Sequence, residues 1–419
     1  MELKQLTGKI QVKFDQFMRK CTKGFSRPLQ KFIRQMVFGI LKSGQVQLND
    51  IGRALQEQMS LKETTKRLGR HLGLVGLWKR ILLSTLDGQR YYLRQCKYMI
   101  LDISDIQKVY ARKMVGLAIV HDGSKGTNGR GYWLCNVTGV DKRGSLIVPA
   151  YSELYSLAQE SSSENVKILS AIDTVSEFVG DDSIWVIDRG GDRKYIMGSL
   201  VKADRQFIIR QVGNRDLYVN GEKISLKQIS RTIKLKQSYT VYKVKNNKKV
   251  KETYRCGAKK VRLEKNGSDL WLVVLKEKGR GYCWLLCHLK AESAEEAVET
   301  AFEGYGHRWK IEEVHRQVKG DYGLESICLQ RYEALKSMNA LLWTAVSFLY
   351  TRLDNLSIAI ITHKELGLEN RKKWSDLLRF IYYKLAAAVK RLLALSKLYN
   401  PTAFSSVDDK QLCLSLGEP

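Results

Sequence analysis

No Cys-x-x-Cys pair occurs among the eight cysteines, which lie scattered from Cys21 to Cys413, so neither a zinc ribbon nor a thiol redox motif is indicated. The nearest approach is Cys283-Trp-Leu-Leu-Cys287-His288, whose neighbours read as a core strand rather than a metal site. Unpatterned cysteines suit a reducing compartment. No apolar run reaches the ~20 residues needed to cross a bilayer; the longest is Ala340 to Tyr350. The first residues, Met-Glu-Leu-Lys-Gln-Leu-Thr, hold no apolar core, so no signal peptide is expected. Internal repeats and low-complexity tracts are missing too. These absences leave a soluble, cytoplasmic globular protein, and 419 residues suffice for two or three domains.

Acidic residues are also in short supply: 43 Asp and Glu stand against 71 Lys and Arg, a net charge of +28. The excess is concentrated. Residues 1–90 carry net +12 and residues 205–290 carry net +16, which leaves the rest of the chain neutral. Charge that serves solubility alone would be scattered, so two basic blocks flanking a neutral body point to a polyanion partner, DNA or RNA.

Residues 28–90 read as helices. Pro28 opens one, with Phe32, Met36, Val37, Ile40 and Leu41 at helical spacing, and Gly44 ends it. A short helix capped by Asn49 follows, and Ser60-Leu-Lys-Glu63 forms a capping box that opens a third. The third helix places Lys62, Lys66, Arg67 and Arg70 largely away from its apolar side. Two short helices with a basic second member suit a helix-turn-helix reader of DNA, with Lys66, Arg67 and Arg70 as contacts; a plain bundle with a basic surface is the competing reading.

From Lys97 the pattern changes to strands: Tyr98 to Ile103, ending near Asp102, then Tyr132 to Val140 and Ser145 to Ala150. Helices are expected at about Asn165 to Phe178 and Arg193 to Lys202, with strands at Ser183 to Asp188 and Gln206 to Gln211. Three antiparallel strands followed by helix, strand, helix, strand is the order of a ribonuclease H-like core. Asp102 and Asp188 each interrupt or end an apolar strand, where a lone buried charge is costly. On neighbouring strands they would converge and call for a cation such as Mg²⁺. Asp105 and Asp192, which lie past the expected strand ends, are the runner-up acids. Residues 205–290 alternate apolar and basic residues and read as an inserted antiparallel β-domain. After Lys319 the chain is helical again, with Arg331 to Asp354 as a packing helix of the core. Trp374 to Leu398 is a second helix ending in a stripe of Lys384, Lys390, Arg391 and Lys397, and Pro401 to Pro419 is a tail.

A helix is expected from about Gly306 to Lys319. Tyr305, Arg308, Glu312 and Lys319, at offsets of 3, 4 and 7, share its face. A carboxylate between two cations suits a site that holds a metal and grips a phosphate. The bland alternative is an Arg308–Glu312 ion pair on a solvated helix. The pattern Tyr-x2-Arg-x3-Glu-x6-Lys resembles the signature of the insertion sequence four family of bacterial DDE transposases. Leu-Asp102-Ile and Val-Ile-Asp188-Arg resemble its first two acidic positions.

That resemblance implies an α/β protein with a ribonuclease H-like catalytic core, an inserted antiparallel β-domain and helical N- and C-terminal regions. The division runs 1–92, 93–204, 205–290, 291–355 and 356–419. It implies Asp102, Asp188 and Glu312 as catalytic residues and metal ligands for two Mg²⁺ ions, with Mn²⁺ as a substitute. Tyr305, Arg308 and Lys319 would contact DNA. Trp284, 21 residues before Tyr305, would stack on a flipped base; a core tryptophan on a strand is the competing reading. The implied partner is double-stranded DNA, as transposon ends and target, bound by a synapsed homodimer at the bacterial nucleoid, with no membrane. A domesticated, catalytically idle DNA-binding regulator and a ribonuclease H-like nuclease without strand transfer are the rival readings.

Overall fold

Helices occupy most of the first ninety residues, each set by where apolar residues recur and where caps fall. A computed structural model describes residues 2–122, 126–245, 248–277, 279, 281–363 and 381–395. The protein is mixed α/β, with a large sheet and flanking helices. It divides into two compact units: a helical one of residues 1–88, 106–117 and 316–419, and a mixed one of 89–105 and 118–315. The first helix of the helical unit, α1 (Leu3–Cys21), was not expected; it buries Leu6, Ile10, Phe14, Phe17 and Cys21 at spacings of three and four. In α2 (Arg27–Ser43), Pro28 sits in the first turn and Gly44 closes the helix at φ 66°. Helix α3 (Leu48–Leu55) begins one residue before Asn49, whose place as cap is taken by Gln47 without a capping bond from its side chain. Gln56 (φ 51°) turns the chain into α4 (Leu61–Leu72), where the Ser60–Glu63 capping box forms. Helix α5 (Leu77–Leu93) leads into the mixed unit.

The mixed unit is built on one ten-stranded sheet. Its strands are β1 (Tyr98–Gln107), β2 (Ala118–Asp122), β3 (Thr127–Val140), β4 (Ile147–Tyr155), β5 (Ile184–Ile187), β6 (Phe207–Arg210), β9 (Gln237–Lys245), β10 (Lys248–Val261), β11 (Leu270–Glu277) and β12 (Tyr282–His288), while β7 (Asp216–Val219) and β8 (Glu222–Ser225) pair separately. The order is β2-β3-β1-β5-β6-β12-β11-β10-β9, with β4 on β3. Tyr98, Met99, Ile100 and Leu101 are all buried, as are all four residues of β5, the burial of central strands covered on both faces. These strands run parallel, Leu101 opposite Ile187, and β6 runs parallel to β5. Two expectations change here. Strand β1 continues past Asp102 to Gln107. Strands β9 to β12, expected as a separate inserted domain, extend the same sheet, because β12 pairs with the open edge of β6 (Leu286 opposite Ile209).

Helices α6 (Glu164–Ser176), α7 (Lys194–Lys202), α8 (Leu226–Thr232), α9 (Ala294–His307) and α10 (Trp309–Arg316) complete the mixed unit. The helix expected from Gly306 therefore starts at Ala294 and is interrupted at Arg308. A five-residue π turn, Gln317–Asp321, follows. The chain then returns to the helical unit with α11 (Tyr332–Arg352), α12 (Ser357–Ile361) and α13 (Ile381–Leu395). Eighteen of the twenty-one residues of α11 are buried, so it is the centre of the helical unit, in contact with α1, α2 and α4. It had been expected as a packing helix of the catalytic core. Trp374, Lys397 and the tail from Pro401 to Pro419 lie outside the described residues. Among the described residues no helix is long and apolar enough to cross a membrane.

Candidate active site

The site grows from one face of the sheet. Tyr98 and Ile100 of β1, Ile184 and Val186 of β5, and Ile208 of β6 share a core cluster with Ala297, Val298 and Ala301 of α9 and Ile311 of α10. Side chains alternate along a strand, so Asp102 continues the row of Tyr98 and Ile100, and Asp188 that of Ile184 and Val186. Arg210 follows Ile208 in the same way. The apolar floor thus ends in two carboxylates and a guanidinium, all facing α9 and α10. Gly304 lets α9 lie close on this floor: a Cβ there would stand 2.7 Å from the Tyr98 ring and 2.8 Å from Ile208. The next residue is Tyr305.

Tyr305 donates its hydroxyl hydrogen to Asp188 Oδ1 at 3.0 Å and accepts from Arg210 Nη1 at 3.1 Å. Arg210 Nη1 is also 3.6 Å from Asp188 Oδ1. Arg308, between α9 and α10, uses a single nitrogen for two partners: Nη1 lies 2.7 Å from Glu312 Oε1 and 3.5 Å from Asp188 Oδ2. The expected Arg308–Glu312 pair is therefore present, and it reaches a second carboxylate. His315, one turn beyond Glu312, brings Nδ1 to 3.6 Å from Asp102 Oδ2, and its Nε2 lies 2.8 Å from Asn136 Nδ2 on β3.

The two aspartates respond differently. Burial pushes the Asp102 carboxyl up, the charges of Asp188 and Glu312 push the same way, and Arg308 and the Ile103 amide only partly offset them, leaving it at about 7. Burial would also raise Asp188, but Arg308, the Arg189 amide, Arg210 and Tyr305 together outweigh it and hold this carboxyl below the usual range. Burial, then Asp188, pushes the Tyr305 phenol up. As the side chains lie, no group of three or more His, Cys, Asp or Glu among the described residues is placed to hold a metal ion. Arg308 is the cation that Asp188 and Glu312 share.

The remaining expected residues have varied surroundings. Asp105 lies inside β1, three positions from Asp102 and hence on the opposite face. Asp192 accepts from the Val212 amide at 2.7 Å and pairs with Arg215 at 2.6 Å, its side chain only 2% exposed, which makes it a brace for the loop after β6. Lys319 belongs to the helical unit, on the π turn, and is 3.9 Å from Glu325. That turn begins at Gln317, so the α-helical phase assumed for Lys319 stops short of it. Trp284 is half-buried on β12. Gly213 (φ 98°) leaves room for its indole, since a Cβ there would stand 2.4 Å from the ring. Its Nε1 is buried with no hydrogen-bond partner among the described residues. On α4, Lys66 and Arg70 are exposed. Arg67 is paired within the helical unit: its Nη2 is bonded to both Glu57 oxygens at 2.8 Å and its Nη1 to Gln35 at 2.9 Å. A nearly buried Glu57 needs that charge partner. Cys283 and Cys287 line the core, while His288, on the other side of β12, meets the Arg205 carbonyl.

Arg210, Asn136 and His315 were missed from the sequence. Only His315 had a signal, three residues after Glu312 and so on the same helix face.

No family model and no curated protein matches the chain. Among solved structures it is similar to a cryo-EM structure of the piggyBac transposase synaptic complex with hairpin DNA, at 10% identity and a TM-score of 0.42, over 95% of this chain and 81% of that one. A likeness of that degree transfers neither fold nor function.

Proposed function

We propose that this protein is a DNA transposase of the DDE type. It cuts an insertion sequence at its terminal inverted repeats and joins it to target DNA. The observation that carries this reading is the convergence of Asp102, Asp188 and Glu312, from β1, the end of β5 and α10, around the charges of Arg308. The strand order β4-β3-β1-β5-β6, with β1, β5 and β6 parallel, supports a ribonuclease H-like core. The Tyr305, Arg308, Glu312 and Lys319 spacing supports kinship with the insertion sequence four family, and the two basic segments support DNA as the partner.

The donors are of the chemical kind that Mg²⁺ takes, and the three carboxylates would have to turn toward it from where they now lie. The set is all oxygen, and Asp102 is buried beside the negative charges of Asp188 and Glu312, which Arg308 only partly offsets. Asp102, Asp188 and Glu312 would hold two such ions, which when bound activate the attacking oxygen and stabilise the leaving one in phosphodiester hydrolysis and transesterification. Tyr305 and Arg210 fix the Asp188 carboxylate from behind. Arg308 would offer the scissile phosphate a guanidinium, a planar donor suited to phosphate oxygens, once cations take over its contacts with Asp188 and Glu312.

The test separates two adjacent carboxylates. Glu312 meets Arg308, whereas Glu313, about 100° further round the helix, lies 4.0 Å from Lys310. Glu312→Gln should abolish Mg²⁺-dependent cutting of a labelled transposon end while DNA binding, followed in Ca²⁺, persists. Glu313→Gln should stay within a few-fold of the parent. Reversal of these two results would overturn the catalytic assignment. Joined product in the same reaction separates transposition from simple cleavage.

A further inference from the structure

Behind Asp102 stands a polar pair that the reading above does not use. Asn136 is fully buried on β3, among strand residues that are otherwise mostly apolar. Its Nδ2 is 2.8 Å from His315 Nε2, and its Oδ1 is buried with no partner among the described residues. A buried amide with one end unmatched is unfavourable for folding, so the end that is matched is where its use lies. With Asn136 donating to Nε2, the ring proton of a neutral His315 sits on Nδ1, the nitrogen facing Asp102 Oδ2 at 3.6 Å. That separation is electrostatic contact rather than a hydrogen bond, and a small rotation of Asp102 closes it. His315 is itself nearly buried, at 8% exposure, and shares α10 with Glu312. One helix thus carries a site carboxylate and the ring that reaches the carboxylate on β1.

We propose that His315, oriented by Asn136, is a positioning residue that fixes the rotamer of Asp102 and so selects which of its lone pairs open into the site. The inference rests on the reading of Asp102 as a divalent-cation ligand. Residues behind metal ligands that orient them in this way contribute about 10- to 100-fold to metal affinity. A residue that merely fills the core would not.

The experiment measures Mn²⁺ binding to the full chain by electron paramagnetic resonance, without DNA. Wild type is compared with Asp102→Asn, His315→Leu, His315→Gln, Asn136→Leu and the double variant His315→Leu/Asn136→Leu, with circular dichroism as the check on folding. His315→Leu and Asn136→Leu should each weaken Mn²⁺ binding about tenfold or more. The double variant should be no weaker than His315→Leu alone, because the two act in series. His315→Gln, whose amide can accept from Asn136 and donate to Asp102, should recover most of the affinity. Should His315→Leu fail to fold, Asn136→Leu against His315→Gln makes the same comparison. Wild-type affinity in His315→Leu or Asn136→Leu, or additive losses in the double variant, overturns the inference while leaving the site reading intact. Absence of Mn²⁺ binding in wild type, or no effect of Asp102→Asn, overturns both.

Discussion

Asp102 and Asp188 stand at the same level on neighbouring parallel strands, each one residue past the paired Leu101 and Ile187, and their surroundings pull them in opposite directions. Asp188 is met by Arg308, Arg210 and Tyr305 and by the Arg189 amide, and its carboxyl is held low. Asp102 lies next to His315; burial first, then the charges of Asp188 and Glu312, lift its carboxyl to about 7, and Arg308 offsets them only in part. The protein neutralises one carboxylate with its own cations and leaves the other short of positive charge. Such asymmetry within a pair of acids marks a functional site more than either acid alone does.

The largest effect should come from removing the charges themselves. Asp102→Asn and Asp188→Asn should each abolish Mg²⁺-dependent cutting and keep DNA binding; cutting within tenfold of the parent in either would break the equivalence of the two positions. Arg308→Ala comes next. It leaves Asp188 and Glu312 without their shared partner in a partly buried place, and should cost about 2–3 kcal/mol in urea unfolding at pH 7 in EDTA. A loss below ~0.5 kcal/mol would mean that the pair is screened like a surface one.

The third measurement is the pH dependence of the metal-free protein. A carboxyl raised to about 7 binds more protons folded than unfolded, so its contribution makes stability fall as pH rises from the unfolded value of about 4 to about 7. Asp102→Asn should remove that fall, so the mutant's stability gains on wild type across this window. Asp188 has the opposite sign: its stabilisation is present above the unfolded value and is lost as pH drops through the depressed folded one, so Asp188→Asn should flatten the acid side of the profile. Identical profiles for the two variants would erase the contrast. The smallest effect is expected from Tyr305→Phe, which deletes one hydrogen bond to Asp188 and should cost about 1 kcal/mol. The Asp188 carboxyl should then titrate higher by carbon NMR while Asp102 stays nearly unmoved.

Much of the floor of the site is legible as text. Tyr98-Met-Ile-Leu and Ile184-Trp-Val-Ile are apolar runs of strand length closed by aspartate, and the Ser60–Glu63 cap and the Gly44 stop are local in the same sense. Where local rules compete, the reading slips. Helix α1 was not expected although its apolar residues recur at spacings of three and four, β1 continues through polar residues after Asp102, and the helix expected from Gly306 begins at Ala294. Arg67 shows the limit most plainly. Its place on a basic helix suggested DNA, yet Glu57 and Gln35 hold it, and no spacing rule announces a partner 32 residues away.

By itself the sequence determined the things that depend on neighbours along the chain: the basic blocks, the strand cores, the caps, and the i,i+4 contact of Arg308 with Glu312. The tertiary structure alone decided which charge meets which. Asn136 and His315 are 179 positions apart, Tyr305 and Asp188 are 117 apart, and only the sheet order and the approach of α9 over Gly304 join them. Electrostatic energy depends on distance and on exclusion of water, and neither is a property of the chain as written. That is why the three acids can be picked out as letters, while the opposite shifts of Asp102 and Asp188 emerge only from the fold.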